Sequence, residues 1–164
     1  MEIHHGKRLV IEKVLTRLPG GGTSERIVVR PGDAVAILPV SGDRCHLIRQ
    51  YRFAIGEYIC EAPAGTMDAG ETPEETAHRE LIEETGLRAG TLIPKGYIYT
   101  TPGYTDEKIH LFEARDLTES DEYEKDDDEV IEVMEAGVDE VCAMVADGRI
   151  RDAKTICLVC RCLM

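Results

Sequence analysis

Short apolar runs broken by turn residues dominate this chain, and one stretch departs from that pattern. "KRLVIEKVLTRL" (7–18) and "SERIVVR" (24–30) are β-branched runs separated by "PGGGT", which predicts an N-terminal β-hairpin. "AVAILPV" (34–40) and "CHLIRQYRF" (45–53) flank "SGD" and predict a second hairpin. "EYICEAPAG" (57–65) reads as a short strand ended by Pro-Ala-Gly, and "LIPKGYIYT" (92–100) and "KIHLFEARDL" (108–117) as two more strands joined by "TPGYTDE". The acidic run "ESDEYEKDDDE" precedes a short strand, "VIEVME" (130–135), and "DEVCAMVADG" and "DAKTICLVCRC" predict two C-terminal helices. Strands with helices inserted after them define an α+β class with a mixed sheet. No repeat or linker interrupts the chain, so residues 1–164 are expected to form one domain.

The departure is "ETPEETAHRELIEETGL", whose punctuation is helical. Thr72 is placed to cap the N-terminus, Pro73 suits the first helical position, and Glu75 completes a Thr-x-x-Glu capping box. Gly86 suits the left-handed position that ends the helix, with apolar Leu87 beyond it. Ala77 and Leu81, at i,i+4, supply an inward face. Glu80 and Glu84 are also i,i+4, with Glu83 beside them. Like charges so spaced destabilise a helix by a few tenths of a kcal/mol, roughly. A solvated helix face with Glu75 paired to Arg79 is one explanation. A hard-cation site is the other, because Mg²⁺ is usually held by one or two carboxylates plus substrate phosphates.

Composition narrows the partners. A formal net charge of −13 argues against nucleic acid, whose phosphates need a basic stripe. No apolar run reaches membrane-spanning length, and "MEIHHGKRLVIEKVL" is too charged for a signal peptide, so the expected location is the cytoplasm. The six cysteines include "CLVCRC" at the C-terminus, which reads as an amphipathic helix using Cys as a small apolar residue. The triple Gly at 20–22 lacks the Lys-Ser/Thr of a phosphate loop and is a turn.

From Gly65 the sequence runs Gly, five residues, Glu71, seven residues, then Arg79-Glu80-Leu81-x-Glu83-Glu84-x-Gly86-Leu87. Residues 65–87 thus resemble the Nudix box, GX5EX7REUXEEXGU with U aliphatic, at every defined position. Such a match arises by chance on the order of once in ten million chains of average composition, which removes the solvated-face explanation. The resemblance implies an α/β/α sandwich that hydrolyses nucleoside diphosphates linked to another group. It implies Glu80 and Glu84 as direct metal ligands, the Ala64 carbonyl as a third, and Glu83 as a further ligand or water-polarising group. Arg79 and Glu71 would orient these carboxylates. The metal would be Mg²⁺, with Mn²⁺ an alternative.

Further stretches resemble the ADP-ribose pyrophosphatase branch of that family. These are "QYR" (50–52) with "EAPAG" (61–65), "LPGGGTSERIVVRPGDAVAILPV", "TPGYTDE" with Pro102 fifteen residues beyond Leu87, and "GRIRDAKTI". They imply Arg52 as a bidentate phosphate clamp, with Arg30, Thr66, Thr101 and Gly103 as further substrate contacts. They also imply Glu129 of "DDDEVIEV" as a loop base or additional metal ligand. Members of the branch are dimers whose N-terminal strands complete the neighbouring site, which would put residues 1–32 against a partner; an ordinary sheet edge fits that hairpin equally well. The expected reaction is conversion of ADP-ribose to AMP and ribose 5-phosphate. Another nucleoside diphosphate sugar and a non-catalytic nucleotide sensor are the alternatives.

Overall fold

A computed structural model describes residues 1–6, 9–123 and 130–164. The first strands, β1 (Glu2–His5), β2 (Val10–Arg17) and β3 (Thr23–Arg30), form a separate antiparallel sheet in the order β1-β2-β3. The expected hairpin is therefore present as β2 and β3, paired from Val10↔Arg30 to Arg17↔Thr23. The extra strand β1 carries two histidines and no clear alternation, so nothing in its own residues marks it as a strand.

The main sheet has seven strands. They are β4 (Ala34–Ser41), β5 (Arg44–Arg52), β6 (Glu57–Glu61), β7 (Ala64–Thr66), β8 (Leu87–Tyr99), β9 (Lys108–Glu119) and β10 (Ile131–Gly137). Its spine runs β10-β5-β4-β9-β8, with β6 on β5 and β7 on β4. The second hairpin is one only at its turn, where Val40 faces Cys45 and Ser41 faces Arg44. Beyond that point β4 and β5 diverge, and β6 and β7 fill the wedge between them. The reason lies in β4, which is buried from Val35 to Val40 and pairs in parallel with β9, as a continuous apolar run prefers. "EYICEAPAG" accordingly breaks into two strands at Ala62–Pro63, and β8 starts directly after Gly86, earlier than its apolar residues suggested.

Alternation along β4 builds the layers. Val35 and Ile37 pack with Ala77 and Leu81 of helix α1 (Pro73–Thr85) on one face. Ala36, Leu38 and Val40 pack with Val141, Leu158 and Val159 of helices α2 (Val138–Ala146) and α3 (Ala153–Cys162) on the other. The result is an α/β/α sandwich with a mixed sheet, as expected. Along α3, Cys157 and Cys162 are half-buried and Cys160 is exposed. Burial pushes the Cys162 thiol up to about 11, as it does for Cys45 and Cys60, so all three remain protonated near neutrality.

Candidate active site

Helix α1 begins as its capping box requires. Glu75 N donates to Thr72 Oγ1 at 3.3 Å and Thr72 N donates to Glu75 Oε2 at 2.8 Å. It ends at Gly86, whose φ of 70° is the left-handed conformation open to glycine. Glu75 is thereby committed to the cap, and Arg79 pairs elsewhere. Arg79 Nε lies 2.9 Å from Glu71 Oε1, and Nη1 lies 2.7 Å from Glu80 Oε1 and 2.9 Å from Glu83 Oε2. Nη2 donates to Glu71 Oε2 at 3.0 Å and to the Thr66 carbonyl at 3.3 Å. One guanidinium thus gathers three carboxylates that would otherwise repel, which is how this helix tolerates its own sequence. Hydrogen bonding to Arg79 brings the Glu71 carboxyl down to about 2, aided by bonds from Asp68 N and Thr76 Oγ1.

Glu80 and Glu84 lie on the inner side of α1, at 9% and 2% exposure. Glu84 Oε2 accepts from Ala64 N at 2.7 Å. Glu80 lies against Gly65 so closely that a Cβ at residue 65 would overlap its carboxylate. The three residues Ala62, Pro63 and Ala64 each bond to a different element. Ala62 N donates to Thr155 Oγ1 of α3 at 2.7 Å, the Pro63 carbonyl accepts from Ile37 N of β4 at 2.9 Å, and Ala64 N meets Glu84 of α1.

A divalent cation suits this donor set. Two buried carboxylates adjoin a stretch of backbone held open by a glycine, and hard oxygen donors of that kind suit Mg²⁺ or Mn²⁺. Among the described residues no three His, Cys, Asp or Glu side chains converge into a ready cage. Mg²⁺ usually keeps waters and takes further ligands from its substrate, so two carboxylates suffice as its protein ligands.

A second cluster adjoins the first. Arg52 Nε and Nη2 donate to Glu61 Oε1 and Oε2 at 2.6 and 2.8 Å, the fork geometry expected for a phosphate but here engaging a carboxylate. Glu61, 1% exposed, also holds Lys154 Nζ, which lies 3.1 Å from Asp152. Burial pushes the Glu61 carboxyl up, yet the bonds and charges of Arg52 and Lys154 outweigh that and keep it below its ordinary value. The Arg52 guanidinium is raised chiefly by its bond to Glu61 and further by the charge of Glu84, which places the two clusters within electrostatic reach. Sequence reasoning passed over Glu61 and Lys154. A signal existed: Lys154 occupies the first turn of α3, where a cation opposes the helix dipole and needs another purpose.

A third group gathers at the end of β3. Arg30 pairs with Glu12 at 2.5 Å and with Asp106. Val29 N donates to the Tyr104 carbonyl at 2.8 Å, which seats the turn of Thr101 and Gly103 against the N-terminal sheet. Thr101 Oγ1 reaches only Thr100 Oγ1, at 3.5 Å, and Gly103 has open space around it. The fold therefore brings Ala64, Thr66, Glu80, Glu83 and Glu84 together with Arg52 nearby, and gathers Arg30 and the Thr101–Gly103 turn at the end of β3, where Asp33 O accepts from Met67 N beside Thr66. Glu129 lies outside the described residues.

The chain belongs to the Nudix family: the NUDIX domain model matches residues 30–159. An ADP-ribose pyrophosphatase of Bacillus subtilis (strain 168) is 38% identical over 156 residues, covering 94% of this chain and 84% of that protein. A protein of Bacillus methanolicus named methanol dehydrogenase activator is 34% identical, covering 96% of this chain and 86% of its own length. A GDP-mannose pyrophosphatase of Pectobacterium atrosepticum is 36% identical, covering 88% of this chain and 80% of its own. Among solved structures, that of an ADP compounds hydrolase superposes with a TM-score of 0.85 at 25% identity, covering 97% of this chain and 86% of that one.

Proposed function

We propose that this protein is a Mg²⁺-dependent pyrophosphatase that hydrolyses ADP-ribose to AMP and ribose 5-phosphate. The observation that carries the reading is the gathering of Glu71, Glu80 and Glu83 around Arg79 while Glu84 is tied to Ala64 N. Glu80, Glu84 and the Ala64 carbonyl would hold the cation, with Mn²⁺ a substitute. The ion would supply Lewis-acid neutralisation of the diphosphate oxygens. Arg79 and Glu71 orient the ligating carboxylates. Glu83, and Glu129 ahead of β10, are the residues to take the proton of the attacking water as a phosphorus–oxygen bond of the anhydride breaks. Arg52 receives the diphosphate, Thr66 offers its backbone, and Arg30, Thr101 and Gly103 receive the remote part of the substrate.

Exposed Ile3, Leu15 and Ile27 on the separate N-terminal sheet support a homodimer in which residues 1–32 serve the neighbouring site. We take residues 1–164 as one domain and the cytoplasm as its place; among the described residues no helix is long and apolar enough to cross a membrane.

The GDP-mannose pyrophosphatase relatives favour a second reading, the same reaction on a different nucleoside diphosphate sugar. Initial rates in Mg²⁺ with ADP-ribose, ADP-glucose, GDP-mannose and NADH separate the two. ADP-ribose is expected to be fastest, and an equal rate on GDP-mannose overturns the first reading.

A further inference from the structure

Glu61 stands opposite Ile48 in the β5–β6 ladder, whereas Arg52 stands opposite Glu57. These positions lie on the same sheet face, four residues apart along β5, or about 13 Å at the usual rise of a strand. The two side chains therefore reach toward each other over the intervening Gln50–Ile59 pair, which accounts for the burial of Gln50. An arginine extended along a sheet to meet a carboxylate four positions away has its guanidinium plane set by that carboxylate.

Both Glu61 oxygens are used. Oε1 takes Arg52 Nε, and Oε2 takes Arg52 Nη2 together with Lys154 Nζ. Lys154 comes from α3, 93 residues further along the chain, and only 10% of its side chain is exposed, against 38% for Arg52. The cluster is thus anchored at Glu61 and Lys154 and open at Arg52. Among the described residues Arg52 Nη1 makes no hydrogen bond, so one edge of the fork remains for an anion while the other is fixed.

We infer that Glu61 and Lys154 are positioning residues for Arg52: they hold its guanidinium so that the Nη1 edge receives the substrate diphosphate. Without Lys154 the buried Glu61 carboxylate has a single cation left. It must then draw Arg52 inward or take up a proton and release it. Either response moves the edge that meets phosphate, and neither breaks a hydrogen bond of the α1 carboxylates.

This inference rests on the reading of Arg52 as the diphosphate clamp, so its test includes a control for that reading. KM and kcat for ADP-ribose in Mg²⁺ are measured for the wild type, R52A, K154M and the double variant. R52A and K154M should each raise KM by about tenfold with kcat changed less than about threefold, and K154M should add nothing in the R52A background. An unchanged KM in R52A would remove the clamp and this inference with it. A raised KM in R52A beside an unchanged KM in K154M would leave the clamp standing and overturn the positioning role. Equal proportional rises from K154M in both backgrounds would also overturn it, because they would reflect general support of the fold. If K154M does not fold, E61Q, which keeps the side-chain shape, is read against R52A by the same criteria.

Discussion

The two charged clusters beside Ala64 are opposites in construction. At the helix, one cation, Arg79, stands among three carboxylates, Glu71, Glu80 and Glu83. Behind the strands, one buried carboxylate, Glu61, stands between two cations, Arg52 and Lys154, with Asp152 on the far side of Lys154. The first has more negative charge than its arginine can balance and so attracts a further cation. The second is balanced in charge but turns one edge of Arg52 outward, the edge proposed to meet an anion. The proposed substrate, a diphosphate carrying a divalent cation, presents both signs, and a cleft polarised in this way suits it. The comparison teaches that a chain with net charge −13 can still present, through local arrangement, an arginine edge to an anion.

The helix side is broken most severely by E84Q. Glutamine can still accept from Ala64 N, so the fold should persist, while loss of one ligating charge should lower kcat by about 10³-fold. A near-normal rate in purified, folded E84Q would remove Glu84 from the ligand set. Next in size is G65A. The backbone of Gly65 is not left-handed, so alanine suits it, and the atoms nearest the added methyl are those of the Glu80 carboxylate, which must shift. Activity should drop by about 10- to 100-fold while thermal unfolding shifts by only a few degrees, roughly. Equal losses of activity and stability would mean that Gly65 serves packing and not the placement of Glu80.

The smallest effect concerns pH. Folding lowers the Glu71 carboxyl from 4.5 to about 2 through Arg79, so in the folded state it stays ionised where the unfolded chain takes up a proton. Its contribution is therefore complete above about 4.5 and is lost as pH falls toward 2. Denaturant titrations at a series of pH values should show a shallower acid decline in E71Q than in the wild type. Identical slopes would show that the Arg79 bond is absent in solution.

What the chain made legible was local. Thr72, Pro73, Glu75 and Gly86 delimit α1 through interactions within a turn or two, and the helix fell where those residues put it. The spacing of Glu80, Glu83 and Glu84 left a solvated face and a cation site both open, and the resemblance over residues 65–87 selected the second. The other cluster depends on Lys154 meeting Glu61 across 93 residues, a separation that no periodicity records. The brief pairing of β4 with β5 was hidden similarly, since an apolar run is compatible with a hairpin and with a central parallel strand alike. Arg52 was selected from its motif, but its carboxylate partner depends on the register of β5 with β6.

The tripeptide Ala62–Pro63–Ala64 works as a keystone, fastened to α3, β4 and α1 in successive residues. Loosening any of those three elements strains the same short span, and the Ala64 carbonyl moves with it. The proposed metal site is therefore expected to melt together with the layers of the sandwich and not ahead of them.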